Sequence, residues 1–113
     1  MTDLEIAETI LKQLGGRRFL MMTGAKDLIS INCGLKMSLP RNASKANRLE
    51  ITLTGMDDYI MRFYRFTPAG YSTRGGKFTT HPEKVTEVKK FENIYFDQLQ
   101  ELFTEVTGME THF

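Results

Sequence analysis

The chain has 113 residues, 41% of them hydrophobic and 26% charged, with one cysteine, Cys33, and a formal net charge of +1. These figures exclude a disordered chain and a disulfide-stapled one, and no apolar stretch approaches the ~20 residues needed to span a bilayer. The net charge hides an asymmetry: residues 1–11 carry −3, residues 12–90 carry +9 and residues 91–113 carry −5.

The first element is a helix. Thr2-Asp3-Leu4-Glu5 reads as a capping box, in which the Thr2 hydroxyl accepts from a first-turn amide and Glu5 reaches back. Ile6, Ala7, Ile10, Leu11 and Leu14 recur at helical spacing, and Gly15-Gly16 supplies the stop, so the helix covers about residues 3–14. Short strands are expected next. Arg18 to Thr23 and Leu28 to Cys33 read as a hairpin around Gly24-Ala25-Lys26-Asp27. Leu35, Met37 and Leu39 alternate with Lys36 and Ser38 in a third strand, which Pro40 ends. Residues 41–47 form a polar, basic loop.

Residues 48–54 alternate strictly and make the clearest strand. Gly55 to Asp58 turns the chain into an aromatic-rich strand, Tyr59 to Phe66. After the turn at Thr67 to Gly70, residues 71–80 read either as a hairpin around Gly75-Gly76 or as a mobile loop. Lys84 to Phe91 has the charges of an edge strand. Phe96, Leu99, Leu102, Phe103 and Val106 then mark an amphipathic helix over about residues 94–107, closed by Gly108. The order α-β-β-β-β-β-(β)-α predicts one α+β domain, residues 1–113. An antiparallel sheet of about five to seven strands is flanked by the N-terminal and C-terminal helices, both on one face.

Catalytic signatures are sparse. His81 and His112 read as exposed loop histidines, short of the ligand spacing of a metal site. Cys33 reads as a partly buried thiol without an activating neighbour. Asp57-Asp58 fits turn duty, and Thr23-Gly24-Ala25-Lys26 lacks the spacing of a phosphate loop and reads as a hairpin turn. No enzyme, cofactor or metal is expected. The lone thiol points to a reducing compartment, and the acidic start lacks the features of a signal peptide, so a cytosolic location is expected.

In the strand Tyr59 to Phe66, alternation turns Tyr59, Met61 and Phe63 inward and Ile60, Arg62, Tyr64 and Phe66 outward. With Lys36, Arg41 and Arg48, the residues Arg62 and Tyr64 form a basic and aromatic set of the kind that binds single-stranded nucleic acid: cations follow phosphates and rings stack on bases. The competing reading is an open sheet face that meets a protein partner or a second copy of the chain. The basic middle and acidic ends are equally accounted for by helices and sheet that complement each other within the chain.

Leu14-Gly15-Gly16, Phe19, Met22-Thr23-Gly24-Ala25-Lys26, Leu39-Pro40-Arg41-Asn42, Ile51-Thr52-Leu53, Tyr95, Leu99-Gln100, Phe103-Thr104 and Thr107-Gly108 occur in this order. In this pattern the chain resembles a group of small uncharacterised proteins of bacteriophages, prophages and other bacterial mobile elements. The resemblance runs from about residue 4 to residue 113 and departs between Thr67 and Glu92. It implies a bacterial or phage cytosolic setting and carries no functional residues. The combined expectation is a non-enzymatic accessory protein acting by protein contact or self-association, or alternatively a single-stranded nucleic-acid binder.

Overall fold

The computed structural model describes residues 2–111, apart from the side chains of Ser72 and Arg74. Helix α1 spans Asp3–Leu14. Its capping box forms as the sequence predicts, with the Glu5 amide donating to Thr2 Oγ1 at 3.2 Å. Its last turn is closed from outside: Gln100 Nε2 donates to the Leu14 carbonyl at 2.8 Å. A Cβ on Gly15, which has φ of 125°, would come within 3.0 Å of that same Gln100 nitrogen, so glycine here also permits the close approach.

The segment expected as the first strand is instead a helix, α2, Arg17–Thr23. Leu, Met and Arg are good helix formers, and burial here follows an i, i+4 spacing: Phe19 and Thr23 are buried while Arg17, Arg18 and Met21 are exposed. Thr23 Oγ1 donates to the Phe19 carbonyl at 2.7 Å, and Gly24, at φ 73°, ends the helix. The Thr23 to Lys26 stretch is therefore a helix stop, not a hairpin turn.

Strand β1 is Lys26–Ile31 and β2 is Gly34–Ser38. They form the first hairpin of the fold, around Asn32 and Cys33, with Ile31 paired to Gly34. Strand β1 thus ends two residues before the expected Cys33, which occupies the turn at φ 57°. Strand β3 is Arg48–Leu53 and β4 is Tyr59–Thr67, both where alternation places them. Two short strands, β5 (Gly70–Ser72) and β6 (Thr79–His81), form a separate ribbon around a 3₁₀ turn at Arg74–Gly76. Strand β7 is Lys84–Ile94.

The C-terminal helix starts later than expected. Ile94 belongs to β7, Phe96–Gln98 is a 3₁₀ turn, and α3 is Leu99–Thr107. Phe96, read as a core position of that helix, is 63% exposed because it precedes the first α-turn. Gly108 closes α3 as expected, its amide donating to the Thr104 carbonyl at 2.8 Å.

The main sheet is antiparallel, with order β1-β2-β3-β4-β7. α1 lies on β1 and β2, and α3 packs beside α1. Phe103 of α3 meets Phe19 of α2 edge-on at 4.9 Å and Phe63 of β4 at 6.3 Å. One core therefore joins all three helices to the inward side of the sheet. The β4–β7 pair runs on into the β5–β6 ribbon as an arm. The molecule accordingly measures 52 × 31 × 21 Å, with a radius of gyration of 15.8 Å against about 13 Å for a compact chain of this length. On the arm, Tyr71 and Phe78 stack at 5.3 Å while remaining 69% and 70% exposed.

Both edge strands are irregular. The β1–β2 register shifts between Lys26 and Ile29, where Asp27 takes φ 55°. The β4–β7 register shifts twice, between Tyr59 and Met61 and between Phe63 and Tyr64. Bulges of this kind increase twist and blunt an edge against strand addition.

Candidate functional site

The face of the sheet opposite the helices holds most of the residues singled out from the sequence. Lys36 of β2 pairs with Glu50 of β3, which pairs in turn with Arg62 of β4. Arg62 Nη1 donates to Glu50 Oε2 at 2.9 Å, and its Nε donates to Glu87 Oε1 on β7, also at 2.9 Å. Burial works against the Arg62 charge, but the hydrogen bonds and fields of Glu87 and Glu50 outweigh it and hold the guanidinium above its ordinary value. The charges thus alternate positive, negative, positive across β2, β3 and β4; on β7, Lys90 stands directly opposite Arg62, and Glu87 reaches Arg62 from its place opposite Tyr64.

Tyr64 faces outward, as alternation predicts, yet is only 5% exposed. The Arg62 guanidinium lies over its ring at 4.4 Å. Tyr64 and Arg62 are therefore engaged with each other and with carboxylates, and no free ring face is presented at Tyr64. Arg48 is placed differently. Its guanidinium lies 5.5 Å from the centre of the Phe66 ring, and Nη1 donates to the Asn47 carbonyl at 2.9 Å. Arg48, Phe66, Lys36 and Asp27 line a depression of about 240 Å³ with Ile29, which is 54% exposed.

Arg41 is not on this face. It belongs to the loop between β2 and β3, which lines a larger cavity of about 580 Å³ together with Lys45 and Arg65. Arg65 is not legible in the sequence as a partner of this loop, because the contact spans 20 residues: Arg65 Nη1 donates to the Lys45 carbonyl at 3.1 Å. The loop is stitched throughout. Asn42 Nδ2 donates to the carbonyls of Pro40 and Ala46 at 2.8 and 3.0 Å, and its Oδ1 accepts from the Ser44 amide at 2.9 Å. Asn47 acts as a side-chain strand, donating to the Phe66 carbonyl at 2.9 Å and accepting from the Phe66 amide at 2.7 Å. The Ala43 amide donates to the Thr107 carbonyl at 3.0 Å, which ties the loop to the end of α3.

The remaining candidates take local duties. Asp58 is buried and accepts from the Thr54 hydroxyl, while Asp57 sits in the turn at φ 63°. Cys33 is half-buried, and its amide donates to Asp3 Oδ1 at 3.0 Å. His81 lies exposed on β6 and pairs with Gly70, and His112 lies outside the described residues. Among the described residues, no group of three His, Cys, Asp or Glu is placed to hold a metal ion. Among them, too, no helix is long and apolar enough to cross a membrane. No protein-family model matches the chain, and neither the curated proteins nor the solved structures include a significant match.

Proposed function

We propose that the chain is a non-enzymatic binding module that self-associates through the open face of its sheet, as a phage or mobile-element accessory protein of the cytosol. The observation that supports this is the alternation of Lys36, Glu50, Arg62 and, diagonally on β7, Glu87 on the face left bare by the helices. A two-fold axis in the interface, perpendicular to the line from Lys36 to Glu87, sets Lys36 opposite Glu87 of the second copy and Glu50 opposite its Arg62, while Lys90 beside Arg62 is held by Glu92 at 3.3 Å. Such a face is self-complementary, as an isologous dimer requires. Ile29, Ile60 and Phe66 supply apolar surface between the charges. The bulged edges favour contact through the face over strand addition. Sedimentation velocity over a dilution series tests this. The mass of two chains is expected at high concentration, giving way to one chain on dilution, and a single chain throughout would overturn the reading.

A second reading, single-stranded nucleic-acid binding on the same face, is favoured by the Arg48–Phe66 pair beside Lys36. There a ring and two cations could serve a base and its phosphates, while Arg62 and Tyr64 act as support. Fluorescence anisotropy with a labelled oligothymidylate tests it. Binding lost in Arg48→Ala and weakened by salt supports this reading, and no binding at low salt ends it.

A further inference from the structure

We propose that the cavity under the loop between β2 and β3 is a phosphate site for a nucleotide, with Arg41, Lys45 and Arg65 as its cations. Three observations converge. First, these three cations line one cavity of about 580 Å³ whose lining includes no carboxylate. Arg62 has Glu50 and Glu87, and Lys90 has Glu92 at 3.3 Å. Among the described residues, no carboxylate pairs with Arg41, Lys45 or Arg65. Three like charges around one space repel each other in the empty state and favour an anion that enters it.

Second, the loop is held in place before any ligand arrives. Asn42 ties it internally, Asn47 fastens it to β4, and the Ala43 amide fastens it to α3. Ala46 is buried beneath it. A site already ordered does not spend binding energy on ordering itself. Arg65 is aimed by the same network, since one of its nitrogens is committed to the Lys45 carbonyl. A guanidinium has five N–H donors, so others remain for a phosphate.

Third, the size fits. Small-molecule sites occupy about 300–1,000 Å³, so the cavity accepts a nucleotide, whereas a bare phosphate would leave most of it to water. Free nucleotides and nucleotides of a single strand share this chemistry.

Titration calorimetry of the whole protein at low salt, with pyrophosphate, ATP and a short oligothymidylate as separate probes, tests the proposal. Saturable binding of ATP, with pyrophosphate as a competitor, supports it and identifies a free nucleotide. Saturable binding of the oligothymidylate alone supports it and identifies a strand. In either case Arg41→Ala and Lys45→Ala should each weaken binding about tenfold. Lys77→Ala, which removes an exposed cation on the arm, should leave it unchanged. Arg65→Lys, which keeps the charge and loses the fork, should also weaken it. Both alanine positions have exposed side chains, so a failure to fold is not at issue. No saturable binding of any probe, or the same loss in Lys77→Ala as in Arg41→Ala, overturns the proposal.

Discussion

Glu87 reaches Arg62 because β7 carries an extra residue, Val88. Phe63 pairs with Lys89 and Tyr64 with Glu87, which leaves Val88 unpaired between them. Side chains alternate faces along a strand, so the insertion flips Glu87 to the open face, where it completes a clamp on Arg62 that Glu50 begins. Without the bulge, Val88 would stand opposite Tyr64, and Glu87 would stand opposite Arg65 on the other side of the sheet.

The clamp predicts a graded response. Arg62→Ala uncovers Tyr64 and leaves half-buried Glu50 without its partner. It should lower stability by about 1–2 kcal/mol in urea denaturation. Glu87→Gln, at the more exposed end, should cost about 0.5 kcal/mol or less. Equal costs would show that the two ends are not distinguished by burial.

Asn47 does the work of a strand residue with its side chain. Asn47→Ala removes both hydrogen bonds to Phe66 and frees the Phe66 amide and carbonyl. A loss of about 1–3 kcal/mol is expected, with faster amide exchange at Phe66 than at Phe63. Unchanged exchange at Phe66 would mean that the loop is held from elsewhere.

Much of the fold was legible where local and tertiary signals agree. Helix α1 has its box and its glycine stop, and β3 and β4 alternate without interruption. Helix α2 is not legible in the sequence because Phe-Leu-Met-Met offers neither a polar alternation nor a helical stripe. The choice falls to Phe19, which packs on Phe103, a residue 84 positions away in the chain. The direction of Tyr64 was legible and its burial was not, because burial depends on the guanidinium of Arg62 above its ring. Arg41 and Arg48 looked like members of one set, but the loop carries Arg41 into a cavity with Arg65, while Arg48 opens onto the sheet face.

Tyr59 predicts an alkaline effect. Burial raises its phenol above the ordinary 10.0, while the neighbouring Gln13 side chain acts in the opposite direction. A raised folded value means that the neutral form is favoured by folding. The stabilisation is therefore complete below the unfolded value and is lost as pH rises through the folded one. Urea midpoints should fall more steeply above about pH 10 for the native chain than for Tyr59→Phe. Identical profiles would remove Tyr59 from the account.

The arm predicts where proteases cut. Residues 77–90 are exposed throughout, and Gly75 and Gly76 take positive φ at the turn. Brief trypsin treatment should cleave first after Lys77, leaving the sheet and helices protected. First cleavage within α1 or α3 would contradict this ranking.

Charge reversal tests self-association through the open face most directly. Lys36→Glu sets a carboxylate against Glu87 of the second copy, and Lys36→Glu with Glu87→Lys restores opposite signs. Light scattering at one concentration should find two chains for the native protein, one for the single variant, and two again for the double variant. A native protein of one chain, or a single variant that still pairs, would contradict the account.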